Sequence, residues 1–374
     1  MKRVILIKYG WVILFLQIIC TLPLTGQTNT GGFERYISGS SQVSYQYWKA
    51  EDDQIQQFAV PLTFVMPVND NLILNMTTGP AFSNLATKDI YSLNGFSDTR
   101  LSGSYLFNNE KVLLTFGTNI PSGKSALNQE EFSVASVLAS HALNFRAPIL
   151  GQGPDFSTGV AVVHEYADFV FGAGLGYLYR GQYQPFADYD YNYDPGNEFS
   201  FSGGVDYFIG RQNKLMFDIS YTLFGNDNAN GSKVFKSGNR LSIQAVAYFQ
   251  REILSYIFSL RNRIQAKNYI GSGDLVPERQ NSNGNELDLM GLGLLTLDRT
   301  TTLRGLLEGR IYSDNAYGVG SATIGGLGAG VSKYLVSWLN VDAECRFYFG
   351  SLHAGTENVD LTGFQFTAGF RVYL

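Results

Sequence analysis

Hydrophobic and polar positions alternate from near Val43 to the last residue of the chain. Phe58, Val60, Leu62, Phe64 and Met66 share one face, with Thr63 on the other. Leu215, Phe217, Ile219, Tyr221 and Leu223 oppose Asp218, Ser220 and Thr222, and Leu241, Ile243, Ala245, Ala247 and Phe249 oppose Ser242 and Gln244. Leu339, Val341, Ala343, Cys345, Phe347 and Phe349 oppose Asn340, Asp342, Glu344, Arg346 and Tyr348. The last segment sets Phe364, Phe366, Ala368, Phe370, Val372 and Leu374 against Gln365, Thr367, Arg371 and Tyr373. A period of two is the mark of β-strands with chemically distinct faces. About sixteen such segments can be drawn, or fourteen if the weak first one (41–49) and one other dissolve, each long enough for the roughly 9–11 residues of a tilted membrane-crossing strand.

The connections alternate in length. Short turns are expected at Asn69-Asp70-Asn71, Asn108-Asn109-Glu110, 165–168, 211–213, Arg251-Glu252 and 298–301. Longer polar loops are expected at 83–96, 122–154, 181–197, 225–237, 267–285 and 351–360. Short turns at one end and long loops at the other are the pattern of an outer-membrane barrel. Lipid offers no hydrogen-bonding partner, so a closed sheet must satisfy its own backbone and turn its polar face inward. The reading is therefore all-β: a transmembrane antiparallel β-barrel of about 14–16 strands. The competing arrangement is a soluble sandwich with the Phe-rich face as its core, but sandwich strands are shorter, about 5–6 residues.

Composition narrows this further. The chain has 374 residues with 14% aromatic and only 16% charged residues, and its mean hydropathy of -0.04 excludes a polytopic helical membrane protein. A formal charge of -5 without any basic cluster argues against nucleic acid as a partner. Residues 1–26 hold Lys2, Arg3 and Lys8, an apolar stretch over 11–19, and Leu24-Thr25-Gly26. That is the layout of an export signal, with cleavage expected near Gly26-Gln27. Gln17 interrupts the stretch, against a retained anchor, and Ile18-Ile19 before Cys20 are not the small residues of a lipidation site. Cleavage would leave Cys345 as the sole cysteine, unable to form an intramolecular disulfide. The expected organisation is signal 1–26, a short periplasmic segment 27–40, and a barrel over 41–374 in the bacterial outer membrane, with lipid and, during insertion, the barrel-assembly machinery as partners.

Asn94-Gly95-Phe96-Ser97-Asp98-Thr99-Arg100-Leu101-Ser102-Gly103-Ser104-Tyr105, followed by 113–121 and Ser122-Gly123-Lys124, resembles a known group. It is similar to outer-membrane proteins of the phenol-degradation meta-pathway, relatives of the long-chain fatty-acid transporters. Their pattern is a Gly-x-x-Asp-x-x-Leu strand, a short turn, and a strand ending in Pro-[Thr/Ser]-Gly. Similarity continues through 172–181 and Tyr193-Asp194-Pro195-Gly196 to Asp206-Tyr207, about half of the mature chain. The closing segment also looks like the terminal strand that assembly machinery recognises, with Leu374 in place of the usual Phe. The resemblance implies passive passage of hydrophobic or aromatic small molecules. The fatty-acid transporters carry an Asn-Pro-Ala element in an N-terminal plug, and residues 27–40 have none.

Three candidate sites stand out. In the longest loop, Asn128-Gln129-Glu130-Glu131 reads as a capping box, with Phe132, Ala135, Leu138, Ala139 and Ala142 at helical spacing. The expectation is a short helix, with Phe132 and Leu138 as lining residues, that either narrows the barrel mouth or covers its rim. The loop Tyr183, Phe186, Tyr189, Tyr191, Tyr193 offers an aromatic capture surface or an interfacial girdle. Calcium is a weaker reading of Asp188, Asp190, Asn192 and Asp194, because the glycine and glutamate of an EF-hand loop are missing. Asn226-Asp227-Asn228-Ala229-Asn230-Gly231 is better explained as a turn. Third, Arg304, Glu308, Arg310, Asp342, Glu344, Arg346 and Arg371 point to one side, either setting solute preference or pairing among themselves. His141, His164 and His353 stand in no local arrangement with a serine nucleophile, so neither an enzyme nor a cofactor or metal is expected. The leading expectation is a channel for hydrophobic solutes; a general diffusion porin and a structural barrel subunit of a surface assembly are the alternatives.

Overall fold

A computed structural model describes residues 36–374 apart from 108–110, 211, 319, 355 and 356. The expected export signal, Cys20, most of the expected periplasmic segment and the Asn108-Asn109-Glu110 turn lie outside the described residues.

Sixteen antiparallel strands close on themselves. In chain order they are β1 (Ser38–Ala50), β2 in two pieces (Asp53–Ala59 and Leu62–Asn69), β3 (Leu72–Ala86), β4 (Ile90–Phe107), β5 (Val112–Ile120), β6 (Asp155–Tyr166), β7 (Phe169–Arg180) and β8 (Glu198–Ile209). They continue as β9 (Asn213–Phe224), β10 (Arg240–Arg251), β11 (Leu254–Gln265), β12 (Glu286–Thr296), β13 (Thr301–Tyr312), β14 (Ala322–Val336), β15 (Leu339–Ala354) and β16 (Glu357–Tyr373). Each strand pairs with the next, and β1 pairs with β16 from Ser38↔Tyr373 to Ala50↔Leu361, which shuts the ring. A closed ring leaves no edge strand to present unpaired backbone groups. β2 is interrupted at Val60-Pro61, because proline has no amide to give the ladder. The Val60 amide instead donates to the Pro80 carbonyl at 2.9 Å.

The alternation read from the sequence sorts the faces. Phe64, Phe171, Phe217, Phe258, Leu307 and Phe347 are exposed on the outside. Trp48, Gln46, Gln57, Ile324 and Arg310 are buried on the inside. Among the described residues no helix is long and apolar enough to cross a membrane, which says nothing about a barrel.

Two of the expected long loops are strand instead. Residues 83–96 belong to β3 and β4, joined by a three-residue hairpin, and 351–354 and 357–360 belong to the ends of β15 and β16. Their polar outward positions, such as Asn84 and Ser92, bond across the strands at 2.7 Å. Ladder pairing therefore overrides the polar composition that suggested loops. The first strand is well formed and begins at Ser38. At the long-loop end, Tyr193–Asp194, Asp227–Ala229, Ser232–Lys236, Tyr269–Ser272 and Asp274–Pro277 make a small second sheet. Asn230 and Gly231, both with positive φ, make its tight turn, so the Asn-rich segment is a hairpin.

Inward glycines admit large side chains. The Trp48 ring lies over Gly363, where a Cβ would stand 2.6 Å from it, and stacks on Tyr348 with centroids 5.0 Å apart. Gly363→Ala is expected to cost about 1–3 kcal/mol by overpacking and to shift Trp48 emission. Gly305→Ala, with open space around its Cβ, should do neither. Fluorescence and unfolding midpoints of the two variants check this.

Candidate functional site

The longest loop, 121–154, folds into the barrel. Its foot is built around Asp98 of β4, which accepts from the Gly123 amide at 2.8 Å and the Gln152 amide at 2.9 Å. Asn119 joins the same carboxylate at 2.7 Å, and the Asp98 amide donates to the Leu150 carbonyl at 2.8 Å. One carboxylate thus ties both ends of the loop together. Gly123 fits there because it has no side chain: a Cβ would stand 2.0 Å from the Leu150 carbonyl oxygen. Asp98 and Ser122-Gly123, within the segment 94–124 singled out in the sequence, make up this foot.

From the foot the chain enters helix α1 (Gln129–Leu138). Asn128 accepts from the Glu131 amide and Glu131 accepts from the Asn128 amide, so the expected capping box is present. Lys124 pairs with Glu131 and fixes the helix to the foot. Val134 and Leu138 form the buried face of the helix, in a core with Leu85, Leu93 and Trp48. Phe132, by contrast, is 46% exposed and lies off that packed face. Ala139 caps the helix, and Ala142 lies beyond it in irregular chain.

Residues 140–150 cross the lumen without regular structure. Their backbone is answered by inward side chains of the wall. Tyr312 donates to the His141 carbonyl at 3.2 Å, Arg310 to that of Ala142 at 2.9 Å, and Gln46 to those of Leu143 and Asn144 at 2.9 and 3.2 Å. Gln57 both donates to and accepts from Ala147, at 2.8 and 2.9 Å. Gln46 and Gln57 are each 1% exposed. His141 meets Glu286 at 3.2 Å, and Arg146 donates to Gln42. The loop leaves the wall between β5 and β6 and touches β12 and β13, seven strands away in the ring of sixteen. It then returns along β1 and β2. This is a plug built from a loop and spanning nearly the full diameter.

At the mouth the tyrosine loop docks on the plug. Leu127 and Phe186 form a parallel bridge, with the Leu127 amide donating to Pro185 at 3.0 Å and the Ala187 amide to Leu127 at 2.9 Å. Phe186 is the hub: its ring centroid is 5.4 Å from Phe132, 5.5 Å from Tyr191 and 6.4 Å from Tyr189. Tyr189, 72% exposed, leaves the cluster accessible. Tyr183 and Tyr193 pair edge-on at 5.8 Å, apart from that hub. Tyr193 donates to Asp227, and burial together with that bond pushes its hydroxyl above the ordinary phenol range. The aromatic side chains are thus gathered by the plug and the small sheet, rather than spread along a girdle. Among the described residues no group of three His, Cys, Asp or Glu comes together to hold a metal ion.

Six of the seven charges picked out in the sequence form one network on the short-turn side of the plug. Arg346 bonds Glu308 at 2.8 Å and Glu344 at 2.6 Å; Arg310 reaches Glu308 at 3.1 Å; Arg304 stands 3.8 Å from Asp342 and Glu344. Arg371 is placed beside Asn340 and Ser40, nearer the chain terminus. Arg310 also stacks on Tyr348, 5.1 Å away, and so links the charges to the plug core. His353 bonds Asn358 at 2.8 Å, and neither its contact nor that of His141 is to a serine hydroxyl.

Sequence reasoning missed Asp98, Gln42, Gln46, Gln57 and Arg146 as parts of the site. The signal available was the run Ala142-Leu143-Asn144-Phe145-Arg146-Ala147-Pro148-Ile149-Leu150, too apolar for a solvated loop.

No family model matches the chain, and no curated protein matches it in sequence. Solved structures do match. The CymD monoaromatic hydrocarbon channel is 12% identical over 91% of this chain and 90% of that one, with a TM-score of 0.45. OmpT of Vibrio cholerae is 14% identical over 90% and 97%, TM-score 0.45. The anion-selective porin from Comamonas acidovorans is 12% identical over 90% and 98%, TM-score 0.43. The likeness concerns the course of the backbone, and no residue's role is carried over from it.

Asp98→Ala removes the acceptor for two half-buried amides, each worth up to about 1 kcal/mol when left unanswered. The expected outcome is release of the plug with the barrel intact: protease cleavage within 121–154 and loss of the Trp48 emission of the packed state.

Proposed function

We propose that this chain is an outer-membrane channel for small molecules, and that aromatic or otherwise hydrophobic solutes are its cargo. The carrying observation is the cluster of Phe132, Phe186, Tyr189 and Tyr191 where the plug meets the mouth, open to solvent at Phe132 and Tyr189. Flat apolar rings at such a point capture flat apolar solutes by stacking and burial. The outward Phe and Leu side chains supply the lipid-facing surface, and the closed ladder leaves no backbone group for lipid to oppose. The plug then makes direct passage conditional on loop movement. The resemblance noted above, part of which falls on the plug foot, supports the same reading. Insertion by the assembly machinery and residence in the outer membrane belong to this proposal.

A second reading, a diffusion pore for polar solutes, is favoured by the inner face of β6–β8. There Ser157, Gly159, Gly174, Gly176, Ser200 and Ser202 interleave; a Cβ at Gly176 would stand 2.6 Å from the Ser200 hydroxyl oxygen. That wall is thin and hydrophilic, and it lies away from β1, β2, β12 and β13, which hold the plug.

Two measurements test the proposal. Cells that rely on this chain for toluene uptake should lose about fivefold or more of it when Phe132→Ser and Phe186→Ser are combined, as expected from two aromatic contacts of about 0.5–1.5 kcal/mol each. Unchanged uptake together with large ohmic conductance would favour the polar pore. In vesicles, Phe347→Arg on the outer face should cost about 2–4 kcal/mol, whereas Thr362→Ser near the long-loop end should cost little. Equal effects would remove the lipid-facing assignment.

A further inference from the structure

On the short-turn side of the plug lies a cavity whose empty space, open mouth included, is about 280 Å³. Arg146, Arg304, Arg346, Asp342, Glu344 and Gln42 line it. Three guanidinium groups face two carboxylates, so the lining carries one excess positive charge.

The arginines are not equivalent. Arg346 is fully engaged, with Glu308 at 2.8 Å and Glu344 at 2.6 Å. Arg146 arrives on the plug and donates to Gln42. Arg304 is different: its side chain is 9% exposed, its nearest carboxylate oxygens are 3.8 Å away, and its Nε and Nη2 have no hydrogen-bond partner. A guanidinium taken out of water without acceptors is costly. Its planar fork of donors suits a bidentate oxyanion better than any other ligand. The acids beside it do not cancel this preference, because Glu344 is already neutralised by Arg346 and Asp342 has Arg304 only at 3.8 Å.

We propose that this cavity binds an oxyanion, the carboxylate, sulfonate or phosphate group of a small solute or a free inorganic oxyanion, with Arg304 as principal donor and Arg146 brought to it by the plug. The plug would then present apolar rings at the mouth and a cation at depth, which selects solutes with an aromatic body and an anionic head. That the ligand is a passing solute rests on the channel reading above; the binding site does not.

The test is calorimetric titration of the detergent-purified full chain at low salt with benzenesulfonate, with sodium sulfate, and with benzyl alcohol as the neutral comparison. Wild type should bind an anion, and Arg304→Gln should weaken that binding about tenfold or more, the worth of one or two charge-assisted hydrogen bonds. Arg146→Gln, on the plug and outside the wall, should weaken it several-fold and serves if the Arg304 variant does not fold. Benzenesulfonate bound in preference to sulfate identifies a solute head group; sulfate bound equally well identifies an inorganic ion. Absence of anion binding to wild type, or equal binding by wild type and the folded variants, overturns the proposal. Anion binding at Arg304 in a barrel that admits no aromatic solute would retain the site and remove the channel reading; uptake without anion binding would do the reverse.

Discussion

Every amide and carbonyl removed from water needs a partner, and in this barrel that requirement shapes the lumen as well as the wall. Strand ladders answer the wall itself. The irregular segment 140–150 has no ladder, so the wall answers it through side chains: Gln46, Gln57, Arg310 and Tyr312 bond four stretches of its backbone. Burying glutamine amides at 1% exposure is tolerable only because each meets a peptide group. Without those partners the loop would have to remain in water. With them it becomes part of the interior, and the mouth cluster and the cavity below it take their places.

The plug also explains why a few small residues sit where they do. Gly123 lets the loop's two ends approach to contact, and Gly363 makes room for Trp48. Trp48, Tyr348 and Arg310 stack in sequence and join the apolar core of the plug to the charged network. The lumen is thereby layered: aromatic rings at the mouth, aliphatic packing around Val134 and Leu138, then arginines and carboxylates. A solute moving through would meet these environments in that order, and each layer is positioned by the one loop.

Much of this could be read from the chain itself. The alternation at Phe58–Met66, Leu215–Leu223 and Leu339–Phe349 identified strands, because one face of a barrel strand is apolar across the membrane band. Asn128 and Glu131 announced the helix start, since a capping box is a local interaction. The polar ends of β3, β4, β15 and β16 misled, because outward positions beyond the apolar band are as hydrophilic as loops while their backbones remain paired. Periodicity also finds a helix without saying which side meets the wall: Val134 and Leu138 do, and Phe132 faces the mouth. Asp98 looked like one motif residue among many, and Gln42 and Gln46 lay in the weakest strand, where polar alternation carries little signal.

The residues alone thus determined the β class, the approximate number of strands, the inward direction of the charges and the presence of a helix in the longest loop. All of these follow from periodicity or from contacts within four residues. Which half of the ring the plug packs on, that Arg146 meets Arg304 across more than a hundred and fifty positions, and that Phe186 meets Phe132 were decided by ring closure. Closure fixes distances between strands far apart in the chain, and no local pattern encodes such distances.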